Sequence, residues 1–432
     1  MMIEPNFIEI IATVLFAVAI IHTFSVSFFA NMASKEGPHA GLWHLLSEVE
    51  AVFGVWAAIL VIFMVITGGF HNAVEYMDSR DFTEPLFVIA IMVIAASRPI
   101  LELVQRVVRY LSRVIPVQTE VAQFFITLSL VPISGSFITE PAAMTLAALM
   151  MRDLFFDRSN SNKYKYITLG VLLVNISIGG VLTHFAAPPV LMVAQKFDWG
   201  LLHMLSHFGW RAVIAVVINA ALATLICHKE IIRCSRVPVR EVVDAYESGN
   251  DKRAIVPNSV IAIHVLFLIG VVVSSHHTEI FIGLLMLFIG YCIGYRQYQN
   301  RLLIKEAIMV GFFLSGLIVL GGLQQWWLQD LLAGLSPKVL YWGTTALTAI
   351  TDNAALTYLG SLVQGTDDAW RYMLVAGAVT GGGLTVIANA PNPAGFALLR
   401  NSFPHAAISA IWVLLSALIP TLIAAFMFLI FA

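Results

Sequence analysis

Ile138–Leu146 reads ITEPAAMTL, and Ile350–Tyr358 reads ITDNAALTY. Both follow the pattern Ile-Thr-acid-x-Ala-Ala-apolar-Thr, and each places one carboxylate, Glu140 or Asp352, in otherwise uncharged, apolar sequence. A carboxylate inside a membrane segment is costly, so its presence there indicates a functional site. Two such acids in the same sequence frame predict one site with two-fold character.

The whole chain has the composition of a membrane protein. Of its 432 residues, 59% are hydrophobic and only 12% are charged, whereas about 25% of a soluble domain is charged. The three cysteines have the spacing of neither a disulfide framework nor a metal site. The sequence contains no Walker motif and no zinc-protease HExxH motif, which argues against an ATP-driven pump and a metalloprotease. We expect no enzyme activity, no cofactor and no nucleic-acid partner.

We predict an all-α polytopic membrane protein with about ten transmembrane helices and two re-entrant hairpins. The apolar runs are about 20 residues long, which is enough to cross a bilayer as a helix. The hairpins, over 117–150 and 336–363, are apolar but interrupted, the first at 132–136 and the second at 344–351. The predicted helices cover residues 7–30, 49–69, 84–99, 164–195, 207–227, 256–275, 279–296, 304–323, 370–395 and 404–431.

The distribution of basic residues orients these helices, because cytoplasmic loops are enriched in lysine and arginine. The basic linker 228–254 is therefore placed in the cytoplasm. The basic segments 100–116 and 152–165 then fall on the same side, and the acidic segment 70–84 falls outside. Both termini come out on the external side. The first hairpin opens from the cytoplasm and the second from outside.

The assignment of ten helices and two hairpins also predicts an internal repeat. Residues 1–227 and 255–432 each supply five helices and one hairpin, so the second unit is inverted relative to the first. Inverted repeats are typical of secondary transporters, whose sites lie near the membrane midplane. A second matched pair supports this, because a proline-rich break follows Gly180 at Pro188 and Gly383 at Pro391. Proline interrupts helical hydrogen bonding, so we expect both of these helices to be discontinuous.

Two segments are expected to lie along the membrane surface. Residues 100–114 place apolar side chains on one helical face and charged side chains on the other, the pattern of an interfacial helix. Residues 324–332, with their pair of tryptophans, are its expected counterpart. Ordinary helix ends explain the second segment equally well.

The hairpin tips carry the candidate ligands. Pro141 is favoured at a first helical position, so Glu140 is expected at the start of a half-helix. The acids could simply cap these half-helices, but Ser or Thr would do so without placing a charge at membrane depth. Small hard cations prefer carboxylate, hydroxyl, amide and carbonyl oxygens. The candidate cation- and proton-binding residues are Glu140, Asp352, Thr139, Thr351, Asn353, Asn389, Asn175, Ser136 and Thr385.

Histidines supply further candidates. His184, close to the predicted break at Pro188, could relay protons. A hydrogen-bonded packing histidine is the simpler reading, because its repeat counterpart is Ile387. A cluster of His39, His44, Glu48 and Glu50 could sense pH, although ordinary solvation of a loop explains it as well.

Paired carboxylates at membrane depth favour exchange of a cation for protons. Desolvation raises the pKa of a carboxyl group, and a second nearby carboxylate strengthens this effect. A proton and a cation can then compete for the same oxygens near neutral pH. Two fixed negative charges would repel an anionic substrate. The transported species are therefore expected to be a small cation and protons.

The chain resembles the sodium/proton antiporters of the ion transporter superfamily, which also contains arsenite carriers and sodium-coupled dicarboxylate symporters. The resemblance rests on 138–141, 350–353 and the Asn389–Pro393 segment, and it covers nearly the whole chain. It implies a homodimer in which a transport part moves like an elevator against a scaffold. The dicarboxylate symporters carry Ser-Asn-Thr at their hairpin tips, whereas this chain carries acids.

Three functions remain open at this stage. The first is a sodium/proton antiporter of a bacterial inner membrane, embedded in its lipid bilayer, with Glu140 and Asp352 as shared cation and proton sites. The second is a sodium-coupled symporter of a small organic or inorganic substrate, in which the acids hold sodium alone. The third is a passive channel, which hairpins and broken helices disfavour.

Overall fold

A computed structural model describes residues 5–34, 39–235 and 254–430, which form helices and no strands. Most of the predicted linker 228–254 lies outside these residues. Its first part, up to Ser235, continues the preceding helix. The chain is therefore all-α over the described ranges, as the sequence predicts.

Twenty-one α-helices make up the described structure. The first twelve are α1 (Phe7–Ala33), α2 (Ala40–Ser47), α3 (Val52–Gly68), α4 (Phe70–Asp78), α5 (Thr83–Ala95), α6 (Arg98–Val114), α7 (Thr119–Ile138), α8 (Glu140–Leu154), α9 (Asn162–Gly179), α10 (Pro188–Ala194), α11 (Leu201–Met204) and α12 (Trp210–Ser235). The remaining nine are α13 (Asn258–Val273), α14 (Thr278–Gly294), α15 (Ile304–Gly321), α16 (Gln325–Leu332), α17 (Pro337–Thr348), α18 (Asn353–Ser361), α19 (Asp368–Gly381), α20 (Asn392–Leu399) and α21 (Ala410–Ile430).

Six helical stretches of the described chain are long and apolar enough to cross a membrane. They are Phe7–Val26, Val49–Gly68, Thr119–Ile138, Leu201–Cys234, Ile304–Gly321 and Ala410–Ile430. Two shorter apolar helices, α13 and α14, add to them. The other segments predicted as spans are shorter or interrupted. The structure therefore supports an integral membrane protein, and the ten spans and re-entrant hairpins stay a prediction.

The predicted interruption at 132–136 is absent, because α7 runs through Pro132 and continues to Ile138. Proline has no N–H to donate to the carbonyl four residues earlier, which is that of Leu128. Asn175 supplies the missing donor, since its Nδ2 lies 2.8 Å from the Leu128 carbonyl oxygen. A side chain from α9 therefore keeps this proline from ending the helix.

The two predicted discontinuous helices are broken as expected. In the first broken helix, the first half is α9, which ends at Gly179, and the second half is α10, which begins at Pro188. In the second broken helix, the first half is α19, which ends at Gly381, and the second half is α20, which begins at Asn392. The first halves pack in a matching way, α9 on α7 and α19 on α17. The second halves cross over, so that α10 packs on α18 and α20 packs on α8. This exchange brings the two breaks together.

The segment predicted to lie along the membrane surface forms helix α6, which bends away from α5 by 62°. It begins at Arg98, two residues earlier than predicted, where Pro99 occupies the first turn. Arg106 ties it to the start of α13 through the carbonyl oxygen of Val256 and the side chain of Asn258, both at 2.8 Å. A short helix, α16, occupies the second predicted surface segment.

Candidate functional site

The site lies where the two broken helices meet the starts of α8 and α18. Both starts are buried, and the amide N–H of Asn353 donates to the carbonyl oxygen of Ala388 in the second break at 3.1 Å. Irregular backbone inside a membrane protein occurs where it lines a cavity or is covered by protein. Helix ends at such a break can supply backbone groups to an ion.

Glu140 is the first residue of α8 and is fully buried. Its Oε2 accepts a 2.8 Å hydrogen bond from Nδ2 of Asn389 in the second break. Its Oε1 has no hydrogen-bond partner within the described residues. The side chain presses against Gly180, where an added Cβ would lie 2.4 Å from Oε1. Only glycine at this position leaves room for the carboxylate.

The preceding residue, Thr139, has an unusual backbone conformation with φ of 70°. A positive φ is rare for a β-branched residue and costs about 1–3 kcal/mol, and such strain concentrates at functional sites. The side chain of Thr139 is 3% exposed, and its Oγ1 has no partner in the part of the chain that the structure describes. This backbone conformation makes the sharp turn between the end of α7 and the start of α8.

Asp352 occupies a different position relative to its helix. It is the N-cap of α18, and its Oδ1 accepts hydrogen bonds from the amides of Ala354 at 2.8 Å and Ala355 at 3.2 Å. Such bonds satisfy amide groups that a helix start leaves free. The side chain is half-buried and faces a cavity. Asp352 is close enough to Glu140 for Coulombic repulsion between the two carboxylates.

Two matched hydrogen bonds show how the halves correspond. The Thr183 hydroxyl donates to the carbonyl of Ser136 at 2.6 Å, and the Thr385 hydroxyl donates to the carbonyl of Ala349 at 2.8 Å. Two matched close approaches repeat this register. Gly179 faces the Pro132 backbone, and Gly381 faces that of Thr345.

The register shifts the acids by one residue. Glu140 and Asn353 each lie eight residues beyond these backbone contacts, at Pro132 and Thr345. Asn353 also lies against Gly382, as Glu140 lies against Gly180. Asn353 is therefore the spatial counterpart of Glu140, and Asp352 is the counterpart of Thr139. The sequence motif aligns the two acids, whereas the structure offsets them.

Several buried polar atoms around Glu140 lack a hydrogen-bond partner among the described residues. Six of them lie in Asn389 or at the starts of α8, α18 and α20, namely Thr139 Oγ1, Glu140 Oε1, Asn353 Oδ1 and Nδ2, Asn389 Oδ1 and Asn392 Oδ1. An unpaired buried polar atom costs about 1–3 kcal/mol, so a group of them calls for an explanation. Five of the six are oxygens, which are the ligands of hard cations and can also bind protons.

Three predicted residues make structural contacts instead. The Ser136 hydroxyl donates to the Gly179 carbonyl at 2.7 Å and accepts from the Leu182 amide at 2.9 Å. Thr385 anchors the second break through Ala349. Asn175 is engaged with Leu128, Val216 and Asn219. Ser136 and Thr385 thus fix the two breaks, and Asn175 compensates for Pro132 in α7. Their role as cation ligands stays a prediction.

A cavity of about 40 Å³ opens beside Asp352, and Thr351 and Asn389 also line it. It also contains a carboxylate for which the sequence predicts either a pH-sensing cluster or a solvated loop. Glu50, in the 3₁₀ turn before α3, lines the cavity and lies within Coulombic range of Asp352. The sequence signal that could have indicated this buried position is that Glu50 immediately precedes the apolar start of α3.

His184 lies apart from this cavity. Its half-buried ring lines a separate cavity of about 30 Å³ together with Glu84 and His276. An apolar cavity beside Thr139 shares Phe185 and Leu191 with it. The Nδ1 atom of His184 has no partner within the described ranges.

The architecture and site can now be compared with known families. A family model described as "Putative Na+/H+ antiporter" matches residues 7–431, which is almost the entire chain. The chain belongs to this family. Membership confirms the resemblance to sodium/proton antiporters that the sequence indicates, and it supports cation transport in general. A comparison with individually curated proteins gives no significant match.

Proposed function

We propose that this chain exchanges sodium for protons at Glu140, in a site between the two broken helices. The observation that carries the proposal is the buried carboxylate with an unpaired oxygen, next to the unpaired oxygens of Thr139 and Asn389. A sodium ion needs several oxygens at once, and a proton needs one basic oxygen. This group of atoms offers both.

The competition between the two ions follows from electrostatics. With Glu140 ionised, the site attracts a cation, because the nearby Asp352 adds negative charge. With Glu140 protonated, the site is closer to neutral and releases the cation. A loaded site, with either a cation or a proton, avoids the large cost of moving a bare charge through the protein interior. Exchange requires only that the site changes its access from one side of the membrane to the other when it holds a cation or a proton, and does not do so when it holds neither.

The proposal includes the arrangement in two inverted units, residues 1–227 and 255–432. The crossed packing of α10 on α18 and of α20 on α8 supports it, as do the matched threonine hydrogen bonds. In such an arrangement, cavities from opposite sides of the membrane lead to one central site. The cavities at Asp352 and at His184 are candidates for these two routes, with His184 relaying protons along the second.

Purified protein in proteoliposomes with a trapped pH dye tests the proposal. A sodium pulse should move protons out of sodium-free vesicles through the wild-type protein, and Glu140→Gln should abolish this movement. Glu120→Gln is the matched control, since Glu120 lies in the first turn of α7, far along the helix from the site. Control exchange should equal that of the wild type.

The pH dependence gives a second, quantitative readout. Because a proton and sodium compete for one carboxylate, the sodium concentration for half-maximal exchange should rise as the pH falls, by up to about tenfold per unit. Sodium uptake without proton movement would contradict antiport and favour the symporter. A half-saturating concentration that does not change with pH would argue against a shared site.

A further inference from the structure

Glu50 faces the cavity beside Asp352 from the opposite wall. The cavity is bounded by α1, by the turn before α3, by α15 and by the second break. Its lining includes the oxygen-bearing side chains of Thr23, Glu50, Thr351, Asp352 and Asn389. Two carboxylates therefore share one small space, and Coulombic interaction links them.

The neighbouring acid, Glu48, behaves as an ordinary surface residue. Its side chain is 42% exposed and pairs with Lys305 at 3.1 Å. Glu50, two residues on, has no ion pair with any described residue and turns into the cavity. Lys305 lies within Coulombic range of Glu50 as well, but its ammonium group bonds to Glu48, so the Glu50 carboxylate has no direct ion pair among the described residues.

Asn389 connects this cavity to the central site. Its side chain is 1% exposed, and its Nδ2 donates to Oε2 of Glu140. Its Oδ1 has no partner in the described chain, and the residue lines the cavity. An unpaired buried carbonyl oxygen beside two carboxylates is a ligand set for a hard cation.

We propose that Glu50, Asp352 and the Asn389 carbonyl oxygen form a second cation site, at which sodium waits before it reaches Glu140. The proposal rests on the proposed cation exchange. A cavity of about 40 Å³ has room for roughly two or three water-sized bodies. The site therefore takes a sodium or lithium ion that keeps part of its water. Asn389 touches both sites and passes the ion between them.

The waiting site should act from one side of the membrane only. Glu48, which pairs with Lys305, is close to Glu50 in the sequence, at the end of the molecule that the charge distribution predicts to be cytoplasmic. Two fixed negative charges in a narrow cleft raise the local cation concentration. Removal of one of these charges should weaken sodium capture from that side and leave the central exchange step intact.

The experiment compares Glu50→Gln with Glu48→Gln, a control that removes the same charge two residues away. Exchange is measured in proteoliposomes of defined orientation, with sodium added to one side at a time. For Glu50→Gln, we expect the half-saturating sodium concentration to rise about tenfold on the Lys305 side. The maximal rate and the value on the other side should stay unchanged. Glu48→Gln should change neither value by more than twofold.

Equilibrium binding of radioactive sodium to the protein in detergent separates this inference from the transport proposal. Wild-type protein should bind two ions and Glu50→Gln one, at a pH where Glu140 is ionised. If the wild-type protein binds two ions but exchanges no protons, the waiting site stands and antiport fails. If Glu50→Gln matches Glu48→Gln in both binding and exchange, the waiting site is wrong. Intact size-exclusion profiles identify variants that remain folded.

Discussion

Glu140 and Asp352 stand one residue apart in the matched frame of the two breaks, and this offset gives them different contacts. Asp352 caps α18 with one oxygen and faces a cavity. Glu140 caps nothing, is fully buried, and holds one oxygen without a partner among the described residues. The structural explanation for a carboxylate at a helix start therefore applies to the second break only.

The counterpart residues complete the contrast. Where the first break has Glu140 against Gly180, the second has Asn353 against Gly382. Where the second has Asp352 as a cap, the first has Thr139 in a strained conformation. Equivalent backbone contacts thus place one carboxylate beside each break, but Glu140 is fully buried and Asp352 is only half-buried. We infer that the deep carboxylate carries the exchange and that the shallow one attracts the cation.

The largest expected effect distinguishes the two acids directly. Asparagine caps helices about as well as aspartate, so Asp352→Asn removes charge without removing the cap. Glu140→Gln should reduce exchange by at least about a hundredfold, or roughly 2.7 kcal/mol of barrier. Asp352→Asn should retain exchange but require about tenfold more sodium. Sodium-driven proton flux in proteoliposomes measures both.

Equal losses for the two variants would mean that the acids act as one unit. Asp352→Ala is the companion variant, because it removes the cap as well as the charge. It should lower stability by about 1 kcal/mol relative to Asp352→Asn. Thermal unfolding in detergent measures this difference.

A smaller effect is expected from the glycines that face the acid and its counterpart. A Cβ at Gly180 would lie 2.4 Å from Oε1 of Glu140, so Gly180→Ala should displace the carboxylate and reduce exchange by about tenfold, or roughly 1.4 kcal/mol of barrier. Gly382→Ala would crowd Ser177 and Asn353. Its main effect should be on stability.

Gly343→Ala is the control for both glycine variants, because a Cβ at this α17 position meets no atom within 4 Å. Alanine is the better helix former by about 1 kcal/mol, so this variant should be slightly stabilised and fully active. Exchange by Gly180→Ala at the wild-type rate would show that Glu140 tolerates displacement. The proposed geometry of the site would then be wrong.

The sequence predicts the helical class, the two breaks and the surface helix, because these depend on local patterns of hydrophobicity, glycine and proline. It also identifies Glu140 and Asp352, since isolated acids in apolar sequence are conspicuous. The predicted break at Pro132 failed for a non-local reason. The compensating donor, Asn175, lies 43 residues later and reaches the Leu128 carbonyl only in the folded protein.

The remaining site details also depend on tertiary contacts. The motif alignment pairs Glu140 with Asp352, but helix packing pairs Glu140 with Asn353. The motif alone cannot show that the two acids differ by one residue in their positions at the helix starts. The sequence predicts for Glu50 only a possible pH-sensing cluster or a solvated loop, because a charge beside an apolar run usually faces water. Its place in the cavity beside Asp352 depends on tertiary packing.

The smallest expected effect concerns the matched threonine hydrogen bonds. Thr183 and Thr385 donate to the Ser136 and Ala349 carbonyls, which lie at helix ends where backbone acceptors lack helical partners. Loss of one such bond costs about 1 kcal/mol, and more when the acceptor is left buried. Thr183 is 1% exposed, whereas Thr385 is half-buried. We expect Thr183→Val to be the more destabilising of the two.

Thermal unfolding in detergent measures this ranking, with an expected lowering of Tm by about 1–3 °C for each variant. Thr67→Val is the control, because the exposed Thr67 hydroxyl bonds only within its own helix, to the Phe63 carbonyl. It should leave the Tm unchanged within about 1 °C. If Thr385→Val were as harmless as this control while Thr183→Val was costly, the second break would be held mainly by Asn392, whose Nδ2 donates to the carbonyls of Gly382 and Thr385. The two breaks would then share a geometry but differ in what stabilises it, as they already differ in where they hold their carboxylates.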